Sequence, residues 1–61
     1  MNIKFRDNLN RYQIDVIEDG QVVFSHNEYR MAARWTSCKY GFTDAQMYDI
    51  YFEYKNYSES L

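Results

Sequence analysis

The sequence predicts a single α+β domain in which an antiparallel β-hairpin is followed by two helices. Three observations favour this fold class. The chain has 61 residues, of which 46% are hydrophobic and none is proline; two β-branched runs flank Asp19-Gly20; and apolar residues recur at helical spacing from Tyr29 onward. A chain this short can bury only one core, so residues 1–61 are expected to form one domain.

The first eleven residues contain a candidate strand. Ile3 and Phe5 alternate with two basic residues, which is typical of a short strand with one apolar face. The polar run over residues 7–11 is typical of a turn. The hairpin is therefore predicted either alone or with this short N-terminal strand.

The clearest hairpin runs from Tyr12 to Ser25 around Asp19-Gly20. A two-residue loop there would divide the apolar side chains of the two strands between opposite faces. A three-residue loop, with Gly20 in the left-handed conformation of a bulge, would pair residue 17 with residue 21 and gather them on one face. We therefore predict the bulged turn. The side chains that it would bring together are Ile14, Val16, Val22 and Phe24.

The first helix is expected to begin after the hairpin. Ser25 and Glu28 form a candidate capping box, and Asn27 is a second candidate cap. Apolar residues from Tyr29 to Thr36 recur at helical spacing and can face a sheet. Gly41 can adopt the positive φ of a C-terminal cap, so the helix is expected to end just before it.

The segment 44–56 fits two kinds of secondary structure. Its alternating aromatic and polar residues suit a third antiparallel strand, whereas the spacing of its apolar residues suits a second helix. The flanking residues favour the helix, because Thr43 and Gln46 form a capping box and Asp44 lies where the helix dipole favours an anion. The helix is the preferred interpretation and the strand is the alternative.

The composition disfavours catalytic and metal chemistry. The chain has one cysteine, Cys38, and one histidine, His26. These cannot supply an intrachain disulfide or the four ligands of a closed zinc site. Cys38 is interpreted as a buried apolar filler and His26 as a capping or surface residue. We therefore expect no enzyme activity, no metal and no cofactor.

The chain is expected to act in the cytoplasm. A lone cysteine suits a reducing compartment, because small secreted domains usually depend on several disulfides. The N-terminal residues contain no apolar run long enough for a signal peptide. Apolar runs of two or three residues are also too short to span a membrane, so membrane attachment is not expected.

Surplus tyrosines and segregated charge predict a protein-binding module. Seven tyrosines are more than a small core can bury with their hydroxyls satisfied. Tyrosine, tryptophan and arginine are typical of interface hot spots. Basic residues concentrate in the first helix and acidic residues in the last segment, which suits orientation against a patterned partner. The candidate partner-binding residues are Tyr29, Arg30, Arg34, Trp35 and Lys39 in the first helix and Tyr48, Tyr51 and Glu53 in the last segment.

Two other function classes stay open. A nucleic-acid-binding protein would use the basic face of the first helix, although the formal net charge of -2 and the acidic last segment disfavour it. A structural subunit would complete the fold of a larger assembly. Homo-oligomers are also open, because a core of this size gives marginal stability that self-association can raise.

The layout resembles a group of small phage proteins. A chain that starts with Met, is rich in Asn and Tyr, and places a hairpin over 12–24 before a helix from Tyr29 to Trp35 is similar to the small early proteins of tailed phages. Several of those are compact inhibitors of bacterial host enzymes or of antiviral defence systems. The resemblance implies a stoichiometric inhibitor acting in the host cytoplasm. It concerns layout alone, so no functional residue is transferred from it.

Overall fold

The computed structural model describes the backbone of residues 2–60 and the side chains of residues 2–56. Its elements, in chain order, are β1 (Ile3–Asn8), β2 (Gln13–Glu18), β3 (Gln21–His26), α1 (Tyr29–Tyr40) and α2 (Asp44–Ser60). The strands form one antiparallel sheet in the order β1-β2-β3. The α+β class, the N-terminal strand and the preferred second helix are confirmed. The sheet has three strands, as in the alternative, but the third strand is β1, and residues 44–56 lie in α2.

β1 extends two residues beyond the predicted start of the turn. Asn8 still pairs with Gln13, so residues 9–12 form the connection. The carbonyl of Asn8 accepts a hydrogen bond from the backbone N–H of Arg11 at 3.3 Å. Tyr12, with a φ of 53°, belongs to this turn and not to β2. The prediction of a turn from residue 7 was therefore wrong, because pairing with β2 extends the strand through a polar stretch.

The turn between β2 and β3 differs from the predicted bulged turn. Glu18 pairs with Gln21, so the loop contains only two residues. These are Asp19 and Gly20, with φ angles of 49° and 89°. Positive φ at both central residues is what a type I′ turn requires, and its twist matches that of antiparallel strands. This match explains why the shorter loop forms despite the split that it imposes on the apolar side chains.

A bulge inside β3 returns part of the apolar side chains of this strand to the core face of the sheet. Val16 pairs with Phe24, whereas Ile17 pairs with Val22, so Val23 is an extra residue between the two pairs. One added residue moves the following side chains to the other face, which brings Phe24 to the same face as Val16, as predicted. Val22 stays on the opposite face and is 55% exposed, which corrects its predicted place.

The core lies between the sheet and the two helices. α1 packs on β2 and β3, and α2 packs on β1. Thr36 is fully buried on α1, and its hydroxyl donates to the carbonyl of Ala32 at 2.8 Å, which satisfies it without a partner elsewhere. The buried hydrophobic cluster consists of Ile3, Phe5, Ile14, Val16 and Ala32.

α1 begins without the predicted side-chain cap. Ser25 belongs to β3, where its hydroxyl donates to Asp15 Oδ1 at 2.6 Å. Because that hydroxyl is engaged across the sheet, it does not cap the helix. Glu28 is the N-cap residue, and its backbone N–H donates to His26 Nδ1 at 3.0 Å. The predicted caps at Ser25 and Asn27 were therefore wrong, whereas His26 has the local capping contact expected of it.

The junction between the helices follows the sequence closely. Gly41 ends α1 with a φ of 66°, as predicted. Thr43 and Gln46 form a reciprocal capping box: the N–H of Thr43 donates to Gln46 Oε1 at 2.8 Å, and the N–H of Gln46 donates to Thr43 Oγ1 at 3.2 Å. Asp44 lies in the first turn of α2. These caps confirm the features that favoured the helix for this segment.

Candidate interaction surfaces

α2 carries an exposed cluster of rings, which we call the α2 aromatic face and which consists of Tyr48, Tyr51 and Phe52. The ring of Tyr48 lies 5.0 Å from that of Phe52 and 6.3 Å from that of Tyr51, centroid to centroid. Tyr48 is 61% exposed and Phe52 is 52% exposed. Tyr51 is half-buried, because it meets Tyr29 edge-on at 5.4 Å. The face is thus anchored to the core on one side and open on the other.

The periodicity of α2 turns this face outward. Met47, Ile50 and Tyr54 are half-buried against the core. With about 3.6 residues per turn, positions 48 and 52 lie on the side of the helix away from those three. Tyr48 and Phe52 are one turn apart and therefore form one continuous apolar strip. This strip is the largest exposed apolar feature of α2 among its described side chains.

The second surface is a concave region between β3 and α1, which we call the β3/α1 groove. It is open to solvent and has a volume of about 430 Å³. The rings of Phe24 and Trp35 stack 4.5 Å apart at an angle of 7° and form its floor. Lys39 Nζ lies 5.8 Å from the centre of the Trp35 ring, and Arg34 is exposed. The groove is lined by Phe24, Met31, Arg34, Trp35, Cys38 and Lys39.

Cys38 is exposed in this groove, which corrects its interpretation as a buried filler. Residues one helical turn apart share a side of the helix. Ala32 and Thr36 form such a pair and are buried against the sheet. Cys38 pairs in the same way with Arg34, so both lie on the side that solvent reaches.

A third concave region lies between β1 and α2 and encloses about 340 Å³. At its mouth, Lys4 Nζ lies 3.5 Å from Glu53 Oε1, and both side chains are more than half exposed. Beside it, the hydroxyl of Tyr54 donates to Asp7 Oδ1 at 2.6 Å. Burial and this hydrogen bond raise the pKa of Tyr54 to about 12. These contacts hold α2 against β1, so we assign this region a structural role and call it the seam.

The structure divides the predicted partner-binding residues among these regions. Tyr29 packs against Phe5 and Tyr54, and burial raises its pKa, so it serves the core. Glu53 is engaged in the seam, and Arg30 is exposed on α1 outside the groove lining. The remaining predicted residues separate into two groups, with Arg34, Trp35 and Lys39 in the β3/α1 groove and Tyr48 and Tyr51 in the α2 aromatic face.

Sequence reasoning missed four members of these surfaces. Phe52 was detectable, since it follows the predicted Tyr48 by one helical turn. Phe24, Met31 and Cys38 were not detectable as groove residues, because the position of α1 beside β3, which makes them a common lining, leaves no local sequence signal. Among the six tyrosines whose side chains are described, Tyr12 and Tyr48 are exposed, in line with the expected surplus. The side chain of Tyr57 lies outside the described residues.

The described residues form neither a metal-binding cluster nor a membrane-spanning helix. Within the described part of the chain, no three His, Cys, Asp or Glu side chains come together as a metal site would require. Over residues 2–60, no helix has the length and apolarity needed to cross a membrane. Comparisons of the chain with protein-family models, with curated proteins and with solved structures found no match. Function must therefore be inferred from the surfaces themselves.

Proposed function

We propose that this domain is a non-enzymatic protein-binding module that docks on a larger protein and blocks it, in the manner of phage inhibitors of a bacterial host enzyme or defence complex. The observation that carries the proposal is the α2 aromatic face. Tyr48 and Phe52 hold their rings 5.0 Å apart on the outside of a helix, each more than half exposed.

The energetic reason is the cost of leaving such rings in water. Burying apolar surface contributes about 25 cal/mol per Å², and aromatic side chains supply large contact areas while losing little conformational entropy on binding. A partner that covers Tyr48 and Phe52 recovers this free energy. Tyr51 prepares the face for binding, because its contact with Tyr29 fixes one side of the cluster before any partner arrives.

The surface charge supports oriented docking. α1 presents the exposed cations Arg30, Arg34 and Lys39, and α2 presents the exposed carboxylates Asp49 and Glu53. Opposite charges on two separate helices give the domain a dipolar surface. Such a surface favours one orientation of approach and raises the association rate with a partner of complementary pattern.

Affinity capture with paired variants tests the proposal. The tagged chain is incubated with a bacterial lysate, and captured proteins are quantified by mass spectrometry. The wild type is compared with the double variant Tyr48→Ala/Phe52→Ala. The matched control is Leu9→Ala/Tyr12→Asn, which alters two still more exposed hydrophobic residues in the β1-β2 turn. Asparagine is chosen at position 12 because it tolerates the positive φ there.

We expect one host protein or complex to be retained by the wild type and the control and lost with the α2 variant. The purified target should then lose activity in proportion to added domain, with an end point near one to one. Equal capture by all three forms, or none by the wild type, would overturn the proposal. Recovery of nucleic acid in place of protein, with binding that weakens steeply as salt increases, would favour the nucleic-acid alternative.

A further inference from the structure

The outer edge of β3 is open in the described structure. The sheet order makes β2 its only strand neighbour there, and Val22 and Val23 are 55% and 39% exposed. An edge strand presents unpaired backbone N–H and C=O groups to any chain that comes alongside. The bulge at Val23 interrupts the strand, so the regular part of this edge is the stretch from Phe24 to His26.

The β3/α1 groove lies beside that stretch. The floor of the groove consists of the stacked rings of Phe24, from β3, and Trp35, from α1. α1 runs back along the sheet toward the β2-β3 turn, because the hydroxyl of Tyr40 near its C-terminus donates to Glu18 Oε2 at 3.0 Å. A chain that paired with β3 would therefore run along α1, with every second side chain directed to the helix side of the sheet.

The charge of the groove indicates which kind of segment it would bind. Of its six lining residues, two are cationic and none carries a carboxylate. Arg34 and Lys39 are five positions apart, about 7.5 Å of helix rise. Alternate side chains of a strand are about 6.7 Å apart. The same five positions rotate the helix by about 140°, so the two long cationic side chains border the groove from its two sides and can reach carboxylates on alternate residues of an added strand.

We propose that the β3/α1 groove binds an extended acidic segment of a partner protein, which adds as a strand to Phe24–His26 and directs its carboxylates to Arg34 and Lys39. An apolar side chain of the segment packs on Trp35. This inference rests on the proposed protein-binding function and specifies the chemistry of the segment recognised. Main-chain pairing provides affinity, and the groove provides specificity.

A second copy of this chain fits the groove poorly. Two β3 edges paired antiparallel about a two-fold axis perpendicular to the sheet would place both α1 helices on one face of the joined sheet, side by side. Arg34 and Lys39 of each copy would then face the same cations of the other, and like charges in an interface are unfavourable. The bulge at Val23 also limits how far two such edges can pair.

The test uses capped synthetic peptides of about seven residues and the full chain labelled with 15N. In the acidic peptide, two Glu and one Phe occupy three successive alternate positions, which share one face of a strand, and Val occupies the positions between them; in the control peptide, Lys replaces Glu. Two further acidic peptides carry N-methyl groups on the amides of one edge or of the other, which removes the N–H donors of that edge. Binding is followed by amide shifts in β3 and by the indole N–H and fluorescence of Trp35.

We expect saturable binding of the acidic peptide, with shifts at Phe24–His26 and Trp35. The Lys peptide should not bind, and only one of the two methylated peptides should lose affinity, because only one edge of an added strand faces β3. Reversal of both cations, Arg34→Glu/Lys39→Glu, should weaken binding at least about tenfold, corresponding to about 1.4 kcal/mol. Arg30→Glu, an exposed change outside the groove lining, is the matched control and should leave binding within about twofold.

Several results would overturn the inference. They are the absence of saturation at about 1 mM peptide, equal binding of the Lys peptide, equal binding of both methylated peptides, or shifts confined to α2. Concentration-dependent β3 shifts without peptide, together with a dimer in sedimentation, would mean that a second copy occupies the edge. If these failures occur while the capture experiment still depends on Tyr48 and Phe52, the groove inference fails and the proposed function stands.

Discussion

The two edges of the sheet differ, because α2 covers β1 whereas β3 keeps a free edge in the described residues. At the β1 edge, α2 packs along the strand, the Tyr54 hydroxyl is bonded to Asp7, and Lys4 pairs with Glu53. At the β3 edge there is a bulge, exposed valines and an open groove within the described residues. A domain of this size has few contacts to distribute. Contacts across the sheet edge therefore cover β1, whereas β3, in the described part of the chain, keeps a free edge at which a further strand could pair.

The largest expected effect on stability comes from replacing one phenylalanine in β1 and, for comparison, one in β3. Phe5 is 4% exposed and contacts both Tyr29 and Tyr54, so Phe5→Ala should cost about 3–5 kcal/mol. A domain of this length has a free energy of unfolding of about 3–9 kcal/mol, so this loss removes about a third of it or more. Phe24→Ala, at a half-buried position, should cost about 1.5–2.5 kcal/mol. Urea denaturation followed by circular dichroism measures both, and equal losses would contradict the contrast.

The β2-β3 turn gives the next largest effect. Asp19 has a φ of 49°, and its carboxylate accepts a hydrogen bond from the N–H of Asn2 at 3.0 Å. Asp19→Ala loses that bond and places an alanine in a left-handed conformation, so we expect a loss of about 1–1.5 kcal/mol. Asp19→Asn keeps an acceptor and is the favoured residue of a type I′ turn, so it should be neutral or slightly stabilising. If alanine and asparagine gave equal stability, the turn would not be type I′.

A pH measurement isolates the contact between α2 and β1. The pKa of Tyr54 is raised by burial and by its bond to Asp7 to about 12, above the 10.0 of a free phenol. The folded state holds this proton more tightly than the unfolded state. The contribution of the Tyr54 hydroxyl to the free energy of unfolding is therefore fully present below about pH 10 and is lost as the pH rises toward 12. Tyr54→Phe should cost about 1 kcal/mol at pH 7, because the hydrogen bond is exposed.

The same variant should lessen the alkaline loss. The free energy of unfolding measured by urea at about pH 9 and at about pH 11 should differ less for Tyr54→Phe than for the wild type. Tyr48→Phe, which removes an exposed hydroxyl, is the control and should keep the wild-type difference. An unchanged alkaline loss in Tyr54→Phe would show that the bond between Tyr54 and Asp7 does not secure the β1 edge.

The β1 side was largely predictable from sequence, because its signals are local. Alternation at Ile3 and Phe5 predicted the strand, and the capping box of Thr43 with Gln46 predicted the start of α2 against a competing strand pattern. These features depend on neighbours within about four positions. The packing of α2 beside β1 could not be predicted, since it depends on contacts over long sequence separation, such as that between Asp7 and Tyr54.

The β3 side was harder, because pairing across the sheet decides it. The two-residue turn and the bulge at Val23 compensate each other, so the apolar face was predicted correctly for Phe24 through a wrong turn. Ser25 is a good helix cap in sequence, yet Asp15 on the neighbouring strand engages it. For the candidate surfaces, residue types on α1 predicted the cations of the groove, but only the position of β3 shows that they border an open edge.

The smallest expected effect concerns the ion pair of Lys4 with Glu53. Both side chains are more than half exposed and their charged atoms are 3.5 Å apart, so water and salt screen the attraction. Glu53→Gln should cost only about 0.2–0.5 kcal/mol at low salt, with the difference disappearing near 1 M salt. Gln46→Ala, on the same helix but in the capping box, should cost about 0.5–1 kcal/mol at any salt concentration. If Glu53→Gln were the more costly change, charge would hold α2 at the β1 edge, and not the burial of Phe5 and Tyr54. The contrast between the β1 edge and the cationic groove beside β3 would then need a different physical basis.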